Sequence, residues 1–323
     1  MNKLTHFLGL RYPIVQGGMG NISPVQLCVA VSQAGGLGQI GVGSLSLQEI
    51  EKKLLMVKSG LGRLPFGVNL PLSVQPKPQE VIELLIHHHV PVISLSAGNP
   101  APWIDSLKAA GSKVMVVVST VKQAQKAEAA GADVLIAEGF EAAGKNSPKE
   151  RTTFTLLPEV VAVSQLPVLA AGGIGDGKGL LAAFSLGASG VQLGTRLIMT
   201  QEAGVHPTYQ QTILQATGED TLVLGRSIGL VTRLLATPYA RKVSSLEQQG
   251  IDQDTFLQLL GEEPHYKGAI LGLLEEGHLN AGQIVGLIKD IPRVKELFAT
   301  MWQEAQERSK IIHQLMNQEG EKK

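Results

Sequence analysis

A (β/α)8 barrel is the fold class this sequence predicts, on three observations. Eight short apolar runs lie between residues 12 and 195, amphipathic stretches separate them, and each strand-plus-helix unit is short enough to repeat eight times in that span. Strands alternating with helices imply a parallel sheet, and eight such units are what a closed barrel needs. A doubly wound open sheet is the alternative that the spacing leaves.

The runs are YPIVQ (12–16), LGQIGV (37–42), FGVN (66–69), VISLSA (92–97), KVMVVV (113–118), VLIAEG (134–139), PVLAAGG (167–173) and GVQLGT (190–195). Several are continuously apolar and rich in Val and Ile, as strands buried on both faces should be. Between two of them VKQAQKAEAAGA (121–132) has helical spacing, with alanines toward the sheet and Lys, Gln and Glu toward water. Gly131 ends it.

After Thr195 the pattern changes. PTYQQTILQA, DTFLQLLGE and YKGAILGLLEEG read as helices and no further strand is expected, so residues 200–285 are predicted to form a helical cap on a barrel of residues 1–199. The remaining segment, 286–323, contains IPRVKELFATMWQEAQERSKIIHQLM. It reads as one amphipathic helix with Val294, Leu297, Phe298, Met301 and Trp302 on a single face, packing back on the barrel.

With 323 residues and 44% hydrophobic content, the chain can bury a large core. Lys plus Arg and Asp plus Glu both number 28, so no net field draws it to nucleic acid or an anionic membrane. A small-molecule partner is expected. The single cysteine, Cys28, excludes an intramolecular disulfide and reads as a small apolar side chain in a reducing compartment. MNKLTHFLGLRYP lacks an apolar signal core and runs such as VMVVV are too short to span a bilayer. The expectation is a cytoplasmic protein without membrane contact, and the amphipathic tail is compatible with a homodimer.

Gly36, Gly38 and Gly41 satisfy G-x-G-x-x-G by letter, but they follow a helix and open a strand. A dinucleotide fingerprint does the reverse, so these glycines are read as a helix stop and a turn. LPVLAAGGIGDGKGLLAAFSLGA (166–188) has the productive order of strand, glycine-rich turn and helix from about Asp176. Glycines let main-chain N–H groups approach an anion, and a helix N-terminus adds partial positive charge. With GVQLGTR on the eighth run, ending in Gly194 and Thr195, this is a candidate phosphate cradle, since barrels hold phosphates between their last two loops. QGGMG (16–20) leaves the first run; glycine there admits close backbone approach to a flat ligand and the Met19 thioether can cover an aromatic face. Asn69 closes the third run with an amide able to pair with a heterocycle.

His87, His88 and His89 end a helix, where adjacent side chains splay apart and cannot converge on one metal. His206 precedes a proline and is read as setting a loop. H-E-x-x-H, C-x-x-C and G-x-S-x-G are absent, so no metal site or serine-hydrolase centre is expected.

The motifs PIVQGGMG, QAGGLGQIG, PFGVNL, SAGNP, IAEGFEAAG, PVLAAGGIGDG, VQLGTR and AGQIVGLIKDIPRV, in this order, make the chain resemble the FMN-dependent 2-nitropropane dioxygenase family, which contains nitronate monooxygenases and flavin-type enoyl-acyl-carrier-protein reductases. The resemblance implies a TIM barrel with FMN over the C-terminal strand ends and its phosphate on Gly172, Gly173, Gly194 and Thr195. It places Gly18, Met19 and Asn69 near the isoalloxazine, with Glu138, Gly144 and Gln192 close by.

In the loop EGFEAAGKNS (138–147) the sequence departs from the family. Where members read close to E-A-G-G-H-x-G, with the histidine as base or substrate contact, this chain has Glu141, Ala142, Ala143, Gly144 and Lys145. A histidine titrates near pH 6.5, whereas a lysine, at about 10.4, is already protonated at neutral pH. Lys145 is therefore the candidate catalytic residue only as a fixed positive charge. That favours FMN-dependent oxidation of an already anionic alkyl nitronate by O2. An enoyl reductase or quinone reductase using NADH or NADPH is the second expectation, and a non-catalytic flavin-binding barrel the third.

Overall fold

A computed structural model describes residues 3–318. All eight apolar runs become strands: β1 (Ile14–Gln16), β2 (Gly38–Gly41), β3 (Phe66–Pro71), β4 (Val92–Ser96), β5 (Lys113–Val118), β6 (Val134–Glu138), then, after a two-residue β7 (Gly144–Lys145) outside the sheet, β8 (Val168–Ala171) and β9 (Gly190–Leu193). They pair in parallel in the order β1-β9-β8-β6-β5-β4-β3-β2. The seam between β2 and β1 is closed by a parallel bridge, Val15 to Leu37. There Leu37 N–H donates to Ile14 O at 3.0 Å and Gln16 N–H to Leu37 O at 2.9 Å, so the sheet is a barrel and not an open sheet.

Val15, Leu37, Val92, Met115, Val134 and Leu169 fill the barrel interior in one buried cluster with Leu4 and Leu8 of the helix Lys3–Leu8. Most of these lie early in their strands, and a Cβ on Gly190, the first residue of β9, would stand 2.8 Å from Leu4 Cδ2. The N-terminal mouth is therefore plugged with apolar side chains, and the C-terminal mouth is left for ligands. Outside the sheet the helices bury their predicted faces, as Ala124 and Ala127 do in Val121–Ala129.

The tail forms the helix Val294–Gln318 and lies along the helix Gly177–Ser185. Val294, Leu297, Phe298 and Met301 are buried, and Trp302 is half-buried. Trp302 meets Tyr12 and Phe184 edge-on, at centroid distances of 5.8 and 6.4 Å. Gly177 permits this contact, because a Cβ there would fall 2.4 Å from Met301 O. Residues 319–323 of the expected tail segment lie outside the described residues.

The expectation that 200–285 contains no strand is corrected. Thr221–Leu224 (β10) and Thr232–Leu235 (β11) form an antiparallel ribbon, and β7 joins it as a third strand, Lys145 opposite Thr232. Gly225 at φ 80° and Gly229 at φ 71° turn the chain between the two strands, a left-handed conformation that interrupts any helix and suits glycine. The helices Pro207–Gln215 and Gln253–Leu259 form where expected. Glu262–Ala269 stops short of the expected length, and Gly272 at φ 74° follows it. Among the described residues no helix is long and apolar enough to cross a membrane.

Candidate functional site

The open mouth leads into a cavity of about 1170 Å³ between barrel and cap. Residues leaving the strands line it, among them Gly18, Asn69, Ser96, Glu138, Gly172 and Gln192. Pockets for single small ligands run to roughly 300–1000 Å³, so this one has room for a cofactor and a second molecule. It reaches the surface beside Ala101, Gln123 and Lys126, all exposed.

One wall is built from main chain. Ala171 pairs with Gln192, so Gly172 and Gly173 leave β8 at the same rim, and on the neighbouring strand, as Gly194 and Thr195 leave β9. Gly172 and Gly173 have φ of 96° and 72°. Among the described residues the N–H groups of Gly172, Gly173, Gly194 and Thr195 donate to no protein acceptor. Unpaired main-chain donors in such a turn form an anion-binding concavity. The Thr195 hydroxyl accepts from Gly282 N–H at 2.9 Å, tying the cap to this wall. The helix N-terminus expected to assist is taken: Asp176 Oδ1 accepts from Gly179 N–H at 2.8 Å, and Glu304 Oε2 from Gly177 N–H at 2.9 Å. The cradle therefore combines the loop amides of Gly172 and Gly173 with those of Gly194 and Thr195, which open the short helix Thr195–Ile198 and have no side-chain cap.

The rest of the mouth suits a flat ligand. The Asn69 amide nitrogen donates to Ser94 Oγ at 2.8 Å, and a Cβ on Gly18 would fall 2.1 Å from Asn69 Oδ1, so only glycine lets the chain lie on that side chain. Met19 N–H donates to Ser23 Oγ at 3.0 Å, and its Sδ reaches to 3.9 Å from where a Gly194 Cβ would stand. Gln192, buried at 8% exposure, has an unpartnered Oε1. Glu138 sits at the end of β6, partly accessible on a side chain that lines the cavity. Desolvation pushes its carboxyl up to about 7.

Between about pH 4.5 and 7 the folded protein thus holds a proton on Glu138 that the unfolded chain has released, so this group lowers stability as pH rises through that window. Glu138→Gln is expected to leave the thermal midpoint of the flavin-free protein unchanged at pH 4 and to raise it at pH 8, by roughly 1–3 kcal/mol of stability. A thermal scan at the two pH values checks this; a gain as large at pH 4 would count against it.

The loop 138–147 is a fixed wall. Glu141 accepts from Thr153 N–H at 3.1 and 2.9 Å and from Thr153 Oγ1 at 2.9 Å, capping the helix Thr153–Val163, whose own Thr152 makes no side-chain cap. Arg233, buried at 3%, donates twice to Phe140 O and lies over the Phe140 ring at 4.9 Å. Gly144 and Lys145 line the cavity as β7, and Lys145 is exposed with no ion pair among the described residues. Every residue expected at the site, Gly18, Met19, Asn69, Glu138, Gly144, Lys145, Gly172, Gly173, Gln192, Gly194 and Thr195, lines this one cavity.

Others were not legible. His265, His278 and Asn280 reach the same cavity from the cap. His206 does not; its Nδ1 accepts from Thr208 N–H at 3.2 Å and caps the helix Pro207–Gln215. His88 pairs with Glu51 at 3.1 Å, and among the described residues no group of three His, Cys, Asp or Glu stands ready to hold a metal. Burial pushes the Cys28 thiol up to about 12, away from reactivity.

The nitronate monooxygenase family model matches residues 1–81 and 73–304. The (3aS,4S,5R,7aS)-5-hydroxy-7a-methyl-1-oxo-octahydro-1H-indene-4-carboxyl-CoA dehydrogenase of Mycobacterium tuberculosis is 32% identical, over 92% of this chain and 94% of that protein. A probable nitronate monooxygenase of Staphylococcus haemolyticus is 33% identical over 69% of this chain and 74% of its own. Among solved structures, FabK from Thermotoga maritima matches with a TM-score of 0.92 and 37% identity, covering 98% of this chain and 99% of that one. Nitroalkane oxidase from Streptomyces ansochromogenes gives 0.82 and 27%, covering 94% and 99%.

Proposed function

The chain belongs to the nitronate monooxygenase family of oxidoreductases, and from that premise we propose that it uses FMN, takes reducing equivalents from NADH or NADPH, and reduces an α,β-unsaturated acyl thioester. Membership makes it an enzyme and sets aside the non-catalytic barrel. The residues present fit FMN. Four unpaired main-chain amides at Gly172, Gly173, Gly194 and Thr195 would hold its phosphate; Gly18, Met19 and Asn69 would flank its ring; and the orphan Gln192 Oε1 offers an acceptor to a ring N–H. When bound, FMN supplies the two-electron chemistry, and the protein binds, orients and excludes water.

The observation that carries the thioester reading is the cavity. At about 1170 Å³, extending from Gly18 past Lys145 to the surface at Lys126, it has room beyond a flavin for a second molecule, and a long thioester arm could run out along that opening. The Mycobacterium tuberculosis relative, whose name describes a dehydrogenase of a carboxyl-CoA, supports a CoA thioester as the ligand, handled there in the direction of dehydrogenation.

The test is spectroscopic. Anaerobic holoprotein is expected to bleach with NADH or NADPH and to recover its colour on adding crotonyl-CoA. Bleaching by a nitronate alone, with no response to thioester, would replace this reading with nitronate oxidation by O2. That second reading is favoured by Lys145, an exposed ammonium on the cavity wall. It predicts faster turnover of nitronates than of neutral nitroalkanes, and equal rates at pH 7 would speak against it.

A further inference from the structure

The cap side of the cavity holds two imidazoles built into place. His265 lies in the helix Glu262–Ala269 and His278 on the strand of chain that returns after it. Two glycines bring these segments into main-chain contact: a Cβ on Gly268 would fall 2.5 Å from His278 O, and one on Gly277 would fall 2.1 Å from Pro264 O. The rings then stack, with centroids 5.1 Å apart and planes 14° from parallel, and Tyr239 covers the other face of His278 at 6.5 Å. Tyr239 O–H is itself fixed, donating to Leu259 O at 2.9 Å. His265 is 4% exposed and His278 2%, and both line the cavity. Among the described residues they are the imidazoles on its wall, since the loop at Gly144 and Lys145 offers an ammonium instead.

The tautomers follow from the surroundings. His278 Nε2 lies 3.3 Å from Gly261 O, a carbonyl that can only accept, so Nε2 carries the proton. The His265 ring makes no hydrogen bond among the described residues, and its Nε2 is sealed in the protein without a partner. A buried orphan N–H is rarer than a buried orphan lone pair, which puts the His265 proton on Nδ1, the nitrogen left on the cavity side. Desolvation lowers His265 to about 3 and His278 to about 4, so both rings stay neutral at working pH. A neutral imidazole can polarise a carbonyl by donation without introducing charge.

We propose that His265 is a substrate-binding hydrogen-bond donor, its Nδ1–H meeting the carbonyl oxygen of the acyl thioester while His278 and Tyr239 hold the ring. This rests on the thioester reading above. Donation there strengthens as negative charge gathers on that oxygen during reduction, so it acts on turnover more than on ground-state binding.

The experiment compares holoprotein of the wild type with His265→Asn, His265→Gln and His265→Phe. The asparagine amide nitrogen can stand where Nδ1 was; glutamine reaches the place of Nε2, and phenylalanine keeps only the stack. Binding of butyryl-CoA, which cannot be reduced, is read from the visible flavin spectrum, and turnover from crotonyl-CoA. His265→Phe and His265→Gln are expected to bind butyryl-CoA about tenfold more weakly and to lose about 10²-fold in kcat, with His265→Asn within about tenfold of wild type in kcat. Retained visible flavin absorbance in all four reports folded, flavin-loaded protein. Wild-type turnover in His265→Phe, or equal loss in the Asn and Gln variants, would overturn the proposal and leave the thioester reading standing. A wild type that neither binds butyryl-CoA nor reduces crotonyl-CoA would overturn both, and would do so before any substitution is made.

Discussion

Valine at position 172 is expected to yield folded protein that retains little FMN, with affinity lowered on the order of 10²-fold. Gly172 has φ 96°, which a β-branched residue adopts only under strain, and its Cβ would stand 2.9 Å from Gly139 O and 3.2 Å from Ala142 N. These are main-chain atoms that cannot rotate away, so the turn itself must move, and its unpaired amides move with it. Gly111→Ala is the matched control, because its φ of 87° carries the backbone strain with nothing within 4 Å of the added Cβ. The ratio of visible to ultraviolet absorbance and an FMN titration check the outcome; a Gly172→Val protein as yellow as the wild type would exclude the cradle.

Glu141→Ala is expected to lower stability by about 2–4 kcal/mol, and so to lower the thermal midpoint clearly. The carboxylate accepts from both the N–H and the hydroxyl of Thr153, while the Glu141 main-chain carbonyl, which the substitution leaves in place, accepts from Gln283 N–H at 3.0 Å. Thr153 Oγ1 also lies 3.0 Å from Gly172 O, so the Glu141 carboxylate braces the helix start beside the glycine turn. Glu141→Gln keeps an acceptor but removes the charge from the helix N-terminus. The expected order of midpoints is wild type, Gln, Ala. FMN affinity should follow the same order, and an Ala variant as stable as the wild type would show that the brace does nothing.

The eight barrel strands were legible because strands buried on both faces read as unbroken apolar runs, and the glycine turns because Gly172 and Gly194 fall where two such runs end. The cradle's position could be read for the same reason. Its donors could not: Asp176 and Glu304 occupy the helix terminus, and Glu304 lies 127 residues from Gly177. The cap ribbon was missed because TLVL and TRLL are four-residue strands, too short for a periodic signal. Glu141 reads as part of a motif, whereas its partner Thr153 is set by how two loops fold together. His265 and His278 carry no pattern at all, since their pairing depends on two glycines that read as ordinary turns.

The three-stranded ribbon ties the cap to the loop. Because Gly144 and Lys145 are its outermost strand and Thr195 is bonded to Gly282, the roof and one side of the chamber are a single piece of masonry. Any hinge that lifts the roof also pulls Lys145 out of the chamber and strains the Thr195 hydroxyl beside the cradle, so admitting a reactant and loosening the grip on whatever sits in that cradle become one event.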